Sequence, residues 1–458
     1  MANALRQYLR YTSWPIIAAM LGLMIWGVCA IQISEEAGAL SSAQGSSGSA
    51  YWKIQMIYWA PALAIFVLMS IVPYQKVGRA SYVLFGITLV VLLALVAIPR
   101  ILGEQHSLVI SVLPGIRGAH RWIKMGPMQI QPSEIAKLTY IILLAWYLRY
   151  GDHYRKISGL VVPFVLTLIP MALILKEPDL GTSLLLLPTL YVMLFMAGAK
   201  LRHLLGIVAI ATAVIFMPIP VKAPVDSKDP EDRTRRALSY GSFDSGGEDY
   251  VLCAAPLAIM KSHQLKRIDG WLRQEESGIT RGIGYQLHQS KMIMGSGRWT
   301  GRSDWNDSAR YFQMLPDDHT DFIFSVIGGQ WGLTGCLGVL FLYGVIFLFG
   351  VEIAIVTYDP FGRLLAVGVL ALLASQILIN VGMTVKLGPI TGMTLPLISY
   401  GGSSLVVNCA ALGLLVNVGY HRPILLSRRP FEHGEKRSRP PAPYGPVAAN
   451  GRPDYRKM

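Results

Sequence analysis

Long uncharged apolar runs constrain this chain more than any other feature. A hydrocarbon core of about 30 Å takes roughly 20 apolar residues as a helix. Such runs occupy 11–34, 54–75, 80–99, 157–175, 180–199, 204–221, 322–351 and 364–385. A further run, 387–420, exceeds one helix and must hold a loop followed by a helix over 402–420. Glu134 to Tyr150 adds one partly polar helix with a short uncharged centre, Leu138–Leu148. The expectation is an all-α polytopic membrane protein of ten transmembrane helices. Composition excludes the alternatives. Of 458 residues, 53% are hydrophobic and 15% charged, whereas a soluble domain carries about 25% charged residues. A soluble core cannot absorb that much apolar surface. Disorder over most of the chain is excluded too, because it needs low hydrophobicity.

Basic residues give the orientation. Arg6, Arg10, Lys76, Arg79, Arg149, Arg155, Lys156, Lys200, Arg202 and Arg363 fall on one side of the spans, with nine more between Arg422 and Lys457. The loop 35–53 on the other side holds only Lys53. The positive-inside tendency makes the first side cytoplasmic and puts both termini there. The net charge of +14 is then a topology signal, and no nucleic-acid partner is expected. The chain divides into a membrane domain, 1–421, and a basic Pro-rich tail, 422–458, expected to be disordered and cytoplasmic. The first run is too long for a signal-peptide core and reads as a retained anchor. Cys29, Cys336 and Cys409 fall in helices and Cys253 in a loop, with neither a disulfide framework nor metal spacing.

Two outer segments depart from the simple pattern. The loop 100–133 carries Arg100, Arg117, Arg121 and Lys124 against one acid, Glu104. Positive charge on the outer side suits an anionic ligand at the membrane surface; the alternative is an interfacial segment snorkelling beside Trp122. The loop 222–321, between helices 7 and 8, is nearly neutral. Loops of this length are usually functional. Its stretch Tyr250–Met260 is too short to span and is expected to lie in the interface.

Polar residues near the spans are expensive in lipid and tend to face a cavity. Glu134 and Lys137 share a helix face and either serve a site or pair with each other. Lys176, Glu177 and Asp179 lie in KEPDLGT, where Pro and Gly imply a broken helix lining a cavity. Lys386 follows the ninth helix. In LPDDHTDFIF (315–324) three carboxylates open the eighth. Helix capping accounts for Asp317 and Asp318. Asp321 directly precedes the apolar run, so partial desolvation would make it a better base. Asp317, Asp318 and His319 are compatible with a divalent cation, but their spacing is not diagnostic. PLISYGGSSL (396–405) offers either a backbone nest for an anion or sugar, or a tight turn with a serine N-cap. GGQWGLTGCLG (328–338) is read as close helix packing.

Five segments, RWIKMGPMQIQPSEIAKL (121–138), KEPDLGTSLL (176–185), GYQLHQSKMIMGSG (284–297), LPDDHTDFIFSVIG (315–328) and GPITGMTLPLISYGGSS (388–404), together resemble the signatures of the SEDS family, the RodA/FtsW peptidoglycan polymerases. The resemblance runs from the first helix to about Pro423. It implies a glycosyltransferase that polymerises lipid II into glycan strands at the outer face of the bacterial inner membrane and releases undecaprenyl diphosphate. It implies a class B penicillin-binding protein as partner, beside the lipid-linked glycan and the membrane itself. The essential aspartate of the family's HTDF motif falls on Asp321, the expected general base. Substrate binding is expected of Arg121, Trp122, Gln131, Glu134, Lys137, Lys176, Asp179, Gln289, Lys291, His319, Thr320, Ser399, Tyr400, Gly401, Gly402, Ser403 and Ser404. Arg121, Lys137 and Lys176 are the candidates for the diphosphate. No cofactor is firmly implied, although a divalent cation, Mg or Mn, would suit that chemistry. Asp317 stands where the family usually has Glu, Gln313 where division-type members have an acid, and Arg298–Trp299 where Gly and a hydrophobic residue often follow. GPITG and NVGM (380–383) look more like RodA, which favours a role in elongation over division. A flippase for the lipid-linked precursor would also suit intramembrane charges and broken helices. A passive scaffold would let Asp321, Arg121 and Lys176 vary freely.

Overall fold

A computed structural model describes residues 13–39, 51–103, 112–114, 121–125, 128–151, 153–222, 235, 238–245, 248–254, 265, 268, 271, 285–301 and 320–421. The tail 422–458, Asp317, Asp318 and His319 lie outside these residues. Prolines, glycines and isolated acids set the helix boundaries. The first helices are α1 (Trp14–Ala39), α2 (Tyr51–Ile71), the short α3 (Tyr74–Arg79) and α4 (Ser81–Leu102). A hairpin of β1 (Ile123–Met125) and β2 (Met128–Ile130) then leads into α5 (Pro132–Leu148). α6 (Ile157–Lys176) and α7 (Leu180–Ala197) flank a break. The Asp179 side chain caps α7 by accepting from the Thr182 amide at 3.1 Å, and Gly198, at φ 101°, ends it in the left-handed region. α8 (Leu201–Ile215) follows, then β3 (Pro218–Lys222), β4 (Gly241–Ser245), β5 (Glu248–Ala254) and α9 (Tyr285–Ser296). α10 (Ile323–Val356), α11 (Pro360–Thr384) and α12 (Gly402–Tyr420) complete the bundle. Asp359 and Pro360 start α11 with a side-chain cap on the Gly362 amide at 3.1 Å.

Among the described residues, eight helices are long and apolar enough to cross a membrane; α5 and α8 are shorter. Their bounds follow the apolar runs closely, and the broken KEPDLGT and the loop before 402 appear as expected. α5 is buried along nearly its whole length and packs against α4, α6, α7, α11 and α12. α2, α4 and α6 instead present Ile57, Val83, Val90, Leu93 and Val161 outward, which is the surface a lipid-facing helix needs.

Two expectations are corrected. Tyr250–Ala254 belongs to a strand, not an interfacial segment: β5 is the middle strand of an antiparallel β3-β5-β4 sheet, with Ile219 opposite Cys253 and Phe243 opposite Tyr250. Cys253 therefore sits in a strand, buried with Val251 and Leu265 in a small satellite core. A short apolar run cannot be assigned to strand or helix by periodicity alone. The glycine-rich stretch in α10 is more than close packing. Gly332 has φ 64° and ψ −159°, so the helix is interrupted there. The Leu333 and Thr334 amides, which the break strips of helical partners, donate to the Arg298 and Trp299 carbonyls at 2.9 and 3.0 Å. A Cβ on Gly332 would lie 2.4 Å from the Gly301 nitrogen. α9 and the turn after it thus brace a separate half-helix, Ile323–Trp331.

Candidate functional site at the polar end of the bundle

Residues 385–401 connect α11 to α12 without regular helix, and Thr391, Met393 and Leu395–Ser399 within them are buried. Irregular backbone is tolerated at membrane depth only where protein or a cavity satisfies it. Here polar side chains from the surrounding helices do so. On α11, Asn380 Nδ2 donates to the Met393 carbonyl at 2.6 Å and to the Asp321 carbonyl at 3.0 Å. One turn earlier, Gln376 Nε2 donates to the Thr394 carbonyl at 2.8 Å, and its Oε1 accepts from Lys137 Nζ at 3.4 Å. From α2, Gln55 Nε2 donates to the Ser399 carbonyl at 3.2 Å, and its Oε1 accepts from the Gly401 amide at 3.3 Å. Gly181 of α7 presses on the same loop: a Cβ there would meet the Thr391 carbonyl at 2.9 Å. The loop is the hub on which the other segments converge.

The break between α6 and α7 is the second element. Asp179 is buried, and its carboxylate accepts from Gln131 Nε2 at 3.0 Å, Ser133 Oγ at 3.2 Å, Thr182 Oγ1 at 2.8 Å and the Thr182 amide at 3.1 Å. It ties the β-hairpin end and the start of α5 to α7. Arg121, half-buried, donates from Nε to the Glu177 carbonyl at 2.6 Å and from Nη2 to the Pro178 carbonyl. Two of its five donors are thus engaged in capping the end of α6. Glu177 is buried, and neither carboxylate oxygen has a hydrogen-bond partner among the described residues. Burial, reinforced by the Asp179 charge and opposed by Arg121, pushes the Glu177 carboxyl up to about 8. Lys176, by contrast, is exposed at the last turn of α6.

Glu134 and Lys137 form a buried ion pair at 2.9 Å. The lysine charge is neutralised inside the bundle, as the pairing alternative held. Asp321 and Thr320 are half-buried in the turn before Ile323, at the free end of the half-helix. Ser290 of α9 fixes that half-helix: its Oγ lies 2.6 Å from Ser325 Oγ and donates to the Thr384 carbonyl at 3.0 Å. Gln289 is half-buried and Lys291 exposed on α9, and Trp122 is half-buried beside Arg121. In the YGGSS segment, Gly401 is the N-cap of α12 without a side-chain cap bond, so the serine N-cap is not formed. Ser404 Oγ instead pairs with Thr394 Oγ1 at 2.9 Å, and Ser399 Oγ accepts from the Leu395 amide at 2.7 Å. Tyr400 packs edge-on against Tyr51 at 5.1 Å. Gly402 lies against the Tyr58 ring and Ser403 is buried.

The structure brings together Arg121, Gln131, Glu177 and Asp179 around the break between α6 and α7, and joins Asp321 to the hub loop through Asn380. Glu134 and Lys137 join through Gln376. Gln376, Asn380 and Gln55 were not singled out from the sequence; lone amides in apolar helices are the signal that would have found them. No group of three or more His, Cys, Asp or Glu able to hold a metal occurs among the described residues. Asp179 already accepts four hydrogen bonds, so it does not fit a metal ligand, and the cation candidates Asp317, Asp318 and His319 lie outside the described residues.

Fold and site together define a multi-pass helical membrane protein whose polar residues gather around an irregular loop at one end of the bundle. The chain belongs to the FtsW/RodA/SpoVE family, whose model, described as cell cycle protein, matches residues 14–242 and 246–423. It is 28% identical to the "Probable peptidoglycan glycosyltransferase FtsW" of Trichlorobacter lovleyi over 91% of this chain and 96% of the relative. It is 30% identical to the peptidoglycan glycosyltransferase MrdB of Escherichia coli K12 over 80% and 85%. Identity to the peptidoglycan glycosyltransferase RodA of Treponema pallidum is 33%, over 66% and 77%. A solved chain from work on polymerisation and crosslinking by a peptidoglycan synthase complex superposes with a TM-score of 0.66 at 25% identity, covering 90% of this chain and 99% of the other. Thermus thermophilus RodA shares the fold, with a TM-score of 0.55 at 23% identity, covering 90% and 98%.

Proposed function

We infer that this chain, like its named relatives, is a peptidoglycan glycosyltransferase, and that it polymerises lipid II at the outer face of the cytoplasmic membrane. The observation that carries the mechanism is the position of Asp321. Asp321 lies in the turn that precedes a short half-helix, where apolar sequence begins, and its backbone carbonyl is tied through Asn380 to the buried loop 385–401. A base held on a braced element meets the geometric need of proton removal from an acceptor hydroxyl. The departing lipid diphosphate is already a good leaving group, so the reaction needs cationic stabilisation more than a second carboxylic acid. Lys176 and the Arg121 donors that have no partner among the described residues serve that role. Lys137 does not, because Glu134 neutralises it 2.9 Å away. The substrate sugars would contact Gln289, Lys291, Thr320 and the 399–404 segment. A class B penicillin-binding protein supplies the crosslinking step, a reading favoured by the likeness to a chain of a peptidoglycan synthase complex. The elongation-type assignment rests on GPITG and NVGM; the named relatives include both FtsW and RodA.

The test uses purified protein and lipid II in detergent, where no membrane remains to be crossed. Wild type forms long glycan, and Asp321→Asn loses about 10²–10⁴-fold in rate while keeping its melting temperature. A protein that moves lipid II across vesicles but makes no polymer is a flippase instead. Native-rate polymerisation by Asp321→Asn removes that residue from the mechanism.

A further inference from the structure

α4 and α6 both pack on α5, and the space left between them on the outward side is a groove of about 440 Å³. Val90 and Leu93 from α4 face Ile169, Ala172 and Leu173 from α6 across it. All are apolar, and Val90, Leu93 and Ile169 are 66%, 55% and 45% exposed, which in a membrane means exposed to lipid. One lining residue differs. Lys176, at the last turn of α6, closes the row with an exposed side chain and has no hydrogen-bond or ion-pair partner among the described residues. It directly precedes Glu177, whose carbonyl Arg121 holds at 2.6 Å. The charged end of the groove is therefore continuous with the polar end of the bundle.

We propose that this groove binds the isoprenoid chain of a polyprenyl diphosphate, with Lys176 meeting the diphosphate. The proposal rests on the glycosyltransferase function inferred above and names where its lipid lies. A lipid-linked substrate keeps its tail in the bilayer while its head reacts, so its tail path must open sideways to lipid, as this groove does. A diphosphate needs an uncompensated cation at the boundary of the hydrocarbon. Among the described residues Lys176 of the α4–α6 row is one, whereas the Lys137 charge in the bundle interior is already paired. Continuity with the Arg121 clamp favours a substrate lipid over bulk anionic phospholipid.

The test places the photoreactive benzoylphenylalanine at Leu93 of the full chain in nanodiscs. Their phosphatidylcholine carries equal mole fractions of undecaprenyl diphosphate and phosphatidylglycerol, and the captured lipid is read by mass spectrometry. The expected result is about tenfold enrichment of the undecaprenyl diphosphate adduct, lost in the Lys176→Gln background; tenfold corresponds to about 1.4 kcal/mol. Equal capture of both anionic lipids marks ordinary lipid annulus and overturns the proposal, as does capture unchanged by Lys176→Gln. Ala172→Trp, which fills the groove, gives a second readout. It lowers the kcat/KM preference for long-chain over short-chain lipid II by about tenfold, and an unchanged preference overturns the proposal. Capture needs no turnover. Polymerisation by wild type without groove capture sinks the groove alone; capture without polymerisation sinks the inferred enzyme function.

Discussion

Glu177→Gln tests the break between α6 and α7 most directly. The Glu177 side chain is 4% exposed, and neither oxygen has a hydrogen-bond partner among the described residues. Burial first, and the Asp179 charge second, push its carboxyl from an ordinary 4.5 up to about 8, against the pull of Arg121. Below pH 4.5 the folded and unfolded states both hold the proton, and the site carries no ionisation penalty. Between 4.5 and about 8 the unfolded chain releases the proton while the folded chain keeps it, so stability falls as pH rises. Above about 8 the loss is complete. At about 1.4 kcal/mol per tenfold change in proton affinity, the window amounts to about 3–5 kcal/mol. Glutamine has the shape of the neutral acid and does not titrate. The assay compares apparent melting temperatures of wild type and variant in one detergent from pH 4.5 to 9, and the difference cancels the other titrating groups. The variant should gain on wild type steadily between pH 5 and 8, by several degrees in all, and then hold level. A flat difference, or one in which wild type gains as pH rises, would falsify the buried neutral carboxyl.

Three further outcomes follow from the packing. Asp179→Ala removes the acceptor of four hydrogen bonds and strands buried donors, so it should cost about 2–4 kcal/mol, seen as a lowered melting temperature; a change under about 0.5 kcal/mol would contradict the bracing role. Lys137→Met leaves Glu134 buried without its partner and should destabilise by about 3–5 kcal/mol, while Lys137→Met with Glu134→Leu recovers most of that; equal stability of single and double variants would show that the pair is not coupled. Gly332→Ala puts a Cβ at φ 64° and 2.4 Å from the Gly301 nitrogen. It should displace the half-helix carrying Asp321, costing at least about 1–3 kcal/mol and most of the polymerase rate, while Gly344→Ala, with open space around it, should change neither.

The hub arrangement explains why so few polar groups suffice. Gln55, Gln376 and Asn380 each bind backbone of the loop 385–401 or of its junction with α12. Each comes from a different turn or helix, so the loop is held from several sides. Asn380 also holds the Asp321 carbonyl, which makes the position of the proposed base depend on the same amide that fixes the loop. Hydrogen-bonded networks of this kind are rigid when satisfied and costly when opened.

The sequence alone determined the spans, because hydrocarbon thickness fixes the length of an apolar helix and leaves little freedom in where it starts or stops. It also marked KEPDLGT as a break, since three charged residues beside Pro178 and Gly181 interrupt two apolar runs, and it marked Asp321 by its place at the edge of an apolar run. Tertiary structure decided what those residues touch. Lys137 and Lys176 look alike as cations near spans, yet one lies beside Glu134 inside the bundle and the other opens onto a lipid-facing groove. Periodicity could not distinguish β5 from an interfacial helix, because strand identity comes from the neighbours β3 and β4 that pair with it. Nor could it show that α10 is two helices, since the break at Gly332 exists only where the turn after α9 supplies carbonyls to the freed amides. Local hydrophobicity is written residue by residue; satisfaction of broken backbone depends on partners elsewhere in the chain, as when Gln55 holds the Ser399 carbonyl 344 residues away.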